Sequence, residues 1–214
     1  MAYYECNGGS NTIKCKYFLG SNSTSNNVTI NLANELFDWH NATINNFLIV
    51  NTGVTGSGSA DHGGRWNPSF NSSTGILSIP HHNSNQNSAK YGMTYSVYYC
   101  EFLPSMTQIS LGTYTTVDSR TISVVGISGI NYSTADPEDF VLKGKGFASG
   151  SGSAGGSGTY PTYSNSSGIL SVQKHQLAQN SARYASSYEA CYIKGWGALK
   201  LEIGQLIISS YRLK

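Results

Sequence analysis

Charged side chains are scarce in this sequence. Asp, Glu, Lys and Arg make up 11% of the 214 residues, whereas an average soluble domain carries roughly a quarter. The formal net charge is +2, and the basic residues form no run. Because phosphate recognition needs clustered Lys and Arg, we predict no nucleic-acid partner. Asn, Ser, Thr and Tyr must supply the polar surface in place of charge.

Long apolar runs are absent too. No stretch reaches the ~20 residues that a membrane-spanning helix needs. The first residues, Met1–Gly9, lack both the basic start and the apolar core of a secretory signal. We therefore predict no membrane insertion and no export by the signal-peptide route.

Cysteine is limited to four residues. Cys100 and Cys191 end corresponding strands of the repeat described below, so we expect them to lie in different modules and not to bridge. Cys6 and Cys15 could close a small loop, but free thiols are favoured without a secretory signal. Neither pair has the Cys-x-x-Cys spacing of a metal site.

Catalytic constellations are also missing. The Gly-Ser-Gly runs lie in low-complexity segments with no strand-turn-helix context, which a nucleophilic serine would need. No Gly-Lys-Ser/Thr follows them, so they are not phosphate-binding loops. The sequence therefore predicts a protein that is not an enzyme, with no catalytic residue, no cofactor and no metal.

What the sequence does contain is a tandem repeat. The segment Asn71–Ile79 returns as Ser164–Val172, and Gly168 follows Gly75 by 93 positions (168 − 75). A fixed period of this length suits one small β-domain, so we predict two copies of a single module. The same shift maps Trp39 onto Tyr132, Phe47 onto Phe140, Pro68 onto Pro161 and Gln86–Tyr91 onto Gln179–Tyr184.

Each copy reads as a series of strands. Val28–Leu32 and Tyr91–Phe102 alternate apolar and polar residues, and Phe47–Val50 is a short apolar run that suits a buried strand. The Gly-rich segments Gly53–Gly64 and Gly144–Gly158 are predicted to be loops. No helical stripe with caps occurs.

The predicted fold class is all-β. We expect two tandem, similar antiparallel β-sandwich modules, Ig-like or jelly-roll-like, preceded by a short N-terminal arm. The predicted boundaries are residues 1–26 for the arm, 27–117 for the first module and 118–214 for the second.

Two groups of polar residues can be compared with their counterparts in the other copy of the repeat. Asp136, Glu138 and Asp139 could bind Ca²⁺ through oxygen, but their counterparts in the first copy are not acidic, so a solvated turn is favoured. His82 and His175 are the histidines that recur, and we expect surface or packing roles for them. The non-acidic counterparts are Thr43, Asn45 and Asn46.

Aromatic residues near turns and Gly-rich loops are the best binding candidates. Such rings, flanked by amide and hydroxyl groups, suit sugars and equally suit protein interfaces. Packing is the alternative, above all for Trp39 and Tyr132, which share one module position. The predicted ligand-binding residues are Arg65, Trp66, Tyr160, Tyr163 and Trp196.

The Met1–Tyr4 start, the Asn/Ser/Tyr/Gly-rich composition and the repeated Phe/Tyr-x-x-Ser-x-Gly-Ile-Leu-Ser-Ile/Val signature resemble bacteriophage virion proteins of the tail, baseplate or fibre type. The resemblance covers about residues 27–210. It implies a non-enzymatic structural protein that is assembled in the host cytoplasm, carried on the virion, and partnered by itself as a symmetric homo-oligomer and by other virion proteins.

The resemblance also implies possible attachment to a host surface glycan. The alternative is a free extracellular carbohydrate-binding protein, a lectin or adhesin, that uses the loop aromatics. A glycan hydrolase is disfavoured, because the sequence offers no clear carboxylate pair.

Overall fold

A computed structural model describes residues 14–33, 35, 37–56, 66–86, 89–150, 158–179 and 181–203. These ranges contain no α-helix and form one nine-stranded sheet and two three-stranded sheets. The predicted all-β, sandwich-like class is confirmed. Within the same ranges, no helix is long and apolar enough to cross a membrane.

The strands follow the same order in both copies of the repeat. Their bounds are β1 Cys15–Ser23, β2 Val28–Asn31, β3 Phe47–Thr55, β4 Ser69–Asn71, β5 Ile76–Ile79, β6 Asn83–Gln86, β7 Ala89–Tyr99, β8 Gln108–Thr115, β9 Arg120–Ser123, β10 Phe140–Gly150, β11 Pro161–Ser164, β12 Ile169–Val172, β13 Gln176–Gln179, β14 Ala182–Ile193 and β15 Lys200–Ile203. Single 3₁₀ turns lie at Ile44–Asn46, Leu103–Ser105 and Pro137–Asp139. Strands β1 to β7 correspond in order to β8 to β14.

The two small sheets cover one face of the large sheet. One consists of β2, β5 and β4, and the other of β9, β12 and β11. Leu77 of the first small sheet packs with Tyr95 of β7, and Leu170 of the second packs with Tyr188 of β14. All four side chains are fully buried. Because successive strand residues point to opposite faces, the alternation in the sequence determines which face is covered.

A third apolar cluster lies on the opposite face of the large sheet. It includes Leu48 of β3 and Val141 of β10, whose chain neighbours Phe47 and Phe140 belong to the two cores. Residues from both copies therefore contribute to one cluster, which joins them. Its buried members are Leu48, Cys100, Leu103, Val141, Cys191, Ile193, Trp196 and Leu199.

The cysteines divide into two kinds. Cys100 and Cys191 are buried, free thiols, so the prediction that they do not bridge is confirmed. They nevertheless share the third cluster, since strands of both copies reach it. Cys15 is disulfide-bonded, so the prediction of a free thiol is wrong for this residue. Cys6 lies outside the described residues.

The large sheet is shared by the two copies. Its strand order is β13-β14-β10-β3-β7-β1-β15, with β6 also paired to β7 and β8 also paired to β14. At its centre β10 meets β3 in antiparallel pairing, with Lys143 opposite Val50. The two modules are therefore not structurally separate domains, because their main sheets are continuous.

The first strand of each copy lies before the boundary that the sequence predicts for that module. β1, within the segment assigned to an arm, is antiparallel to β7. β8, placed at the end of the first module, is antiparallel to β14 of the second in the same way. β15 then returns to the first copy and pairs in parallel with β1.

Two histidines join the copies reciprocally. Nδ1 of His82 accepts the backbone N–H of Phe147 at 2.9 Å, and Nδ1 of His175 accepts that of Val54 at 3.0 Å. Each ring lies against a glycine with positive φ, Gly146 at 95° and Gly53 at 138°. We call these two contacts the histidine clasps.

The histidine clasps explain why the Gly-rich segments are not loops from their first residues. β3 continues through Gly53, and β10 continues through Gly144 and Gly146. Both strands bulge there, because their registers shift between Asn51 and Gly53 and between Gly144 and Gly146. The prediction of loop structure is therefore wrong for the first residues of each segment.

Two buried threonines hold the clasp histidines. Thr24 Oγ1 donates to the carbonyl of His82 at 2.6 Å, and Thr116 Oγ1 donates to that of His175. Burial lowers the pKa of both imidazoles, and the neighbouring His81 lowers that of His82 further. Each imidazole is therefore held neutral, as an acceptor at Nδ1 requires.

Candidate functional site

The residues predicted to bind a ligand do not form one site. Trp66 is half-buried against the first core, and its Nε1 donates to the carbonyl of Pro80 at 3.1 Å. Tyr163 stacks on Phe140 of the second core with ring centroids 4.1 Å apart. Trp196 is only 5% exposed and belongs to the third cluster, so it packs the fold and offers no free ring.

Two other predicted residues have different settings. Tyr160 is 69% exposed, and the preceding residue, Thr159, anchors it by donating its N–H to the carbonyl of Thr52 at 3.3 Å. Arg65 lies outside the described residues. Tyr160 thus remains available as a single exposed ring.

An open cleft of about 930 Å³ lies instead in the second copy. One wall is the loop from Gly129 to Asp139, which ends in a 3₁₀ turn. The other wall runs from Tyr192, near the end of β14, to Ala198. The solvated turn predicted for Asp136, Glu138 and Asp139 forms part of the first wall, and the prediction is wrong for Asp139, which is buried.

The cleft opens where the second copy departs from the first. In the first copy Phe37 belongs to the core, where its ring stacks on that of Tyr99 at 4.3 Å and lies 4.5 Å from that of Tyr17. In the second copy Tyr192 is retained, but isoleucines replace the two other rings. Ile130 stands in the place of Phe37, and Ile109 pairs with Tyr192 as Tyr17 pairs with Tyr99.

The deep end of the cleft is held by a buried carboxylate. Asp139 is 4% exposed, and its oxygens accept the N–H groups of Gly195 at 3.0 Å and Gly197 at 2.9 Å. Burial, followed by the charge of Asp139, raises the pKa of Tyr192, whose hydroxyl is hydrogen-bonded to the same carboxylate. Asp139 therefore acts as a brace for the second wall.

The acidic cluster is not arranged as a metal centre. Asp136 Oδ1 accepts the N–H of Glu138 at 2.9 Å and caps the 3₁₀ turn, while Asp139 is engaged by the second wall. Among the described residues, no group of three or more His, Cys, Asp or Glu side chains could hold a metal ion.

Replacing Asp139 with Asn lowers the free energy of unfolding by about 2 kcal/mol, because charge-assisted hydrogen bonds to Gly195 and Gly197 are lost. Urea unfolding measures the change. The neighbouring Glu138→Gln is the matched control, and as an exposed substitution it shifts stability by less than about 0.5 kcal/mol. Equal effects of the two variants would show that the carboxylate does not brace the wall.

The first wall presents an aromatic ring at its rim. Tyr132 is 37% exposed, and its carbonyl accepts the Tyr163 hydroxyl at 2.7 Å and Asn165 Nδ2 at 3.3 Å. Asn165 Nδ2 also donates to the carbonyl of Ala135 at 2.8 Å. Tyr163, predicted to touch ligand, thus fixes the backbone of the wall from behind.

Amide, hydroxyl and ammonium groups line the cleft together with a tyrosine ring. The rim carries Tyr132, Asn131, Thr134 and the exposed Lys194. Ser133 Oγ donates to Asn131 Oδ1 at 3.0 Å, which orients the Asn131 amide. Sequence reasoning missed Tyr132 because it shares a module position with the buried Trp39; the loss of aromatic partners around it was the signal that could have found it.

No family model matches this chain, and no curated protein or solved structure matches it either. The fold and the cleft define the protein by class alone. It is an all-β protein of two copies that share one large sheet, with an open cleft in the second copy.

Proposed function

We propose that the protein is a non-enzymatic structural component of a bacteriophage particle that self-assembles through the outer edge of β8. The observation that carries the proposal is a difference between two equivalent strands. β15 covers the outer edge of β1, with Cys15 opposite Lys200 and Phe18 opposite Ile203. β8, the counterpart of β1, has no strand on that edge among the described residues.

The open edge of β8 is suited to strand addition. The strand Gln108–Thr115 contains no charged residue and no proline, the devices by which natural edges usually block pairing. It bulges near Gly112, where φ is 112°, as β1 bulges near Gly20. β1 nevertheless pairs with β15 along the stretch before its bulge, so a bulge in this position is compatible with a neighbouring strand.

The occupant that we propose is β8 of a second copy. Two identical edges that meet about a two-fold axis pair antiparallel and extend the large sheet across a dimer. Because β8 is uncharged, the pairing places no like charges opposite each other. This contact supports the symmetric homo-oligomer expected for a virion component.

The assignment to a phage particle is supported by the sequence. The charge-poor, Asn/Ser/Thr/Tyr-rich composition and the repeated Gly-Ile-Leu-Ser signature are its basis. Location on the virion, other virion proteins as partners and attachment to a host surface glycan belong to the same proposal. A free carbohydrate-binding protein is the second candidate, and the open cleft of the second copy favours it.

Replacing the exposed Thr113 of β8 with Lys weakens dimerisation at least about tenfold, which corresponds to about 1.4 kcal/mol. In the dimer, the new lysine charges of the two protomers lie on the same short edge and repel each other. Light scattering coupled to size exclusion, over a dilution series, measures the mass. Thr162→Lys, at an exposed threonine of β11, is the matched control and leaves the mass unchanged.

Two outcomes would overturn the assembly proposal. One is a wild-type chain that remains monomeric throughout the dilution series. The other is a dimer that Thr113→Lys and Thr162→Lys affect equally, because the interface would then lie away from β8.

A further inference from the structure

We infer that the cleft of the second copy binds a neutral sugar unit, with the Tyr132 ring as its platform. The inference does not depend on assembly through β8, and it differs in place from the loop aromatics that the sequence suggested. It assigns a ligand class to a site built by the walls Gly129–Asp139 and Tyr192–Ala198.

At the cleft, the second copy has smaller residues than the first. The first copy shows that this fold accepts rings at the cleft, since it places Phe37 where the second has Ile130, and Phe102 where the second has Gly195. Smaller residues in an otherwise packed position cost stability. The second copy therefore carries smaller residues, Ile130 and Gly195, in the lining of its cleft than the first copy carries at the same positions.

The groups at the rim suit the chemistry of a sugar. A sugar ring presents an apolar C–H face, which suits the partly exposed Tyr132 side chain, and hydroxyls, which need hydrogen-bonding partners. Asn131, Thr134 and Lys194 line the same cleft and supply an amide, a hydroxyl and an ammonium. This combination matches a polyhydroxylated ring better than an apolar ligand.

The charges of the cleft favour a neutral sugar over an acidic one. Lys194 is the single cation among its lining residues, and it shares the cleft with Asp136 and Asp139. Asp139 is buried and bonded to the second wall, so the rim retains one positive and one negative group. The charge of Lys194 is thus offset by that of Asp136, so the rim offers no net positive charge to a carboxylated or phosphorylated sugar.

The cleft is also preorganised. Tyr163 and Asn165 hold the carbonyl of Tyr132, and Asp139 holds the N–H groups of Gly195 and Gly197. Both walls are thus fixed before a ligand arrives, which reduces the ordering cost of binding.

Among the described residues, the first copy has no exposed ring at the position equivalent to Tyr132. Trp39, the counterpart of Tyr132, is 9% exposed, and His40 stacks on its ring at 4.1 Å. The proposed platform is therefore specific to the second copy.

The test is saturation-transfer NMR of the full chain with the methyl glycosides of glucose, galactose, mannose and N-acetylglucosamine. At least one of them receives saturation from the protein. Tyr132→Ala reduces its affinity at least about tenfold, because the platform is removed while the backbone carbonyl that braces the wall remains. Ile130→Phe abolishes binding, because it restores the ring of the first copy.

Controls separate loss of the site from loss of the fold. Tyr160→Ala removes the most exposed large aromatic side chain of the described residues, outside the cleft, and leaves binding unchanged. We expect the thermal unfolding midpoint of Ile130→Phe to equal or exceed that of the wild type, which would show that the variant still folds. The inference is overturned if no methyl glycoside is saturated, or if Tyr160→Ala abolishes binding while Tyr132→Ala preserves it. Light scattering of Tyr132→Ala gives the wild-type mass, so this result is independent of the β8 interface.

Discussion

Replacing Gly53 with Ala lowers the free energy of unfolding by about 3 kcal/mol or more, whereas Gly20→Ala costs about 1–2 kcal/mol. The two glycines have similar φ angles, 138° and 126°, so the backbone strain is matched. A Cβ at Gly20 meets nothing within 4 Å, but one at Gly53 overlaps the His175 ring. The ring must then move and abandon the N–H of Val54, which leaves a buried donor unpaired.

The reciprocal clasp gives the same contrast. Gly146→Ala drives a Cβ into the His82 ring, whereas Gly126→Ala, at φ 80°, meets nothing within 4 Å. Urea unfolding followed by tryptophan fluorescence measures all four variants. If Gly53→Ala and Gly146→Ala cost no more than their controls, the histidine clasps do not hold the copies together.

Stability falls as the pH drops below about 6.5, because the clasp histidines must stay neutral. Their folded-state pKa values are lowered by burial, so the unfolded chain binds more protons in this range. The free energy of unfolding therefore rises with pH. Their contribution is complete above the unfolded pKa and is lost as the pH falls through the lowered folded values.

Removing the clasp acceptors removes this pH dependence. His175→Phe keeps a ring but leaves the Val54 N–H unpaired, at a cost of about 1–3 kcal/mol, and His82→Phe does the same at Phe147. In the double variant, the loss of stability from about pH 7 to pH 5 becomes smaller than in the wild type. The exposed His40→Gln leaves the profile unchanged. A double variant with the wild-type profile would assign the acid sensitivity to other groups.

Local patterns in the sequence were sufficient for the fold class. The alternation around Tyr95 and Tyr188 reports which residues face the cores, and the repeated Gly-Ile-Leu-Ser turn marks β5 and β12. What the sequence could not give is pairing between distant segments. Residues 1–26 are predicted to be an arm because they are polar and rich in Gly and Asn, with one short apolar run, and only contact with β7 identifies β1 as a strand.

The site was harder to predict for the same reason. Trp196 and Tyr132 both lie beside polar turns. Trp196 is nevertheless buried, whereas Tyr132 is exposed. The difference arises from distant neighbours, because Trp196 packs in the third cluster while Tyr132 lines the open cleft. Comparing the two copies residue by residue, with attention to lost aromatics, is the sequence test that could have located the cleft.

Amide hydrogen exchange of β8, measured by mass spectrometry at low and high protein concentration, tests the proposed assembly most directly. The proposal predicts that the amides of Gln108–Thr115 exchange more slowly as concentration rises, because a second copy pairs with the open edge. In Thr113→Lys the same amides exchange at the dilute rate throughout. Exchange in β8 that is independent of concentration, or protection that arises on another strand, would contradict assembly through this edge.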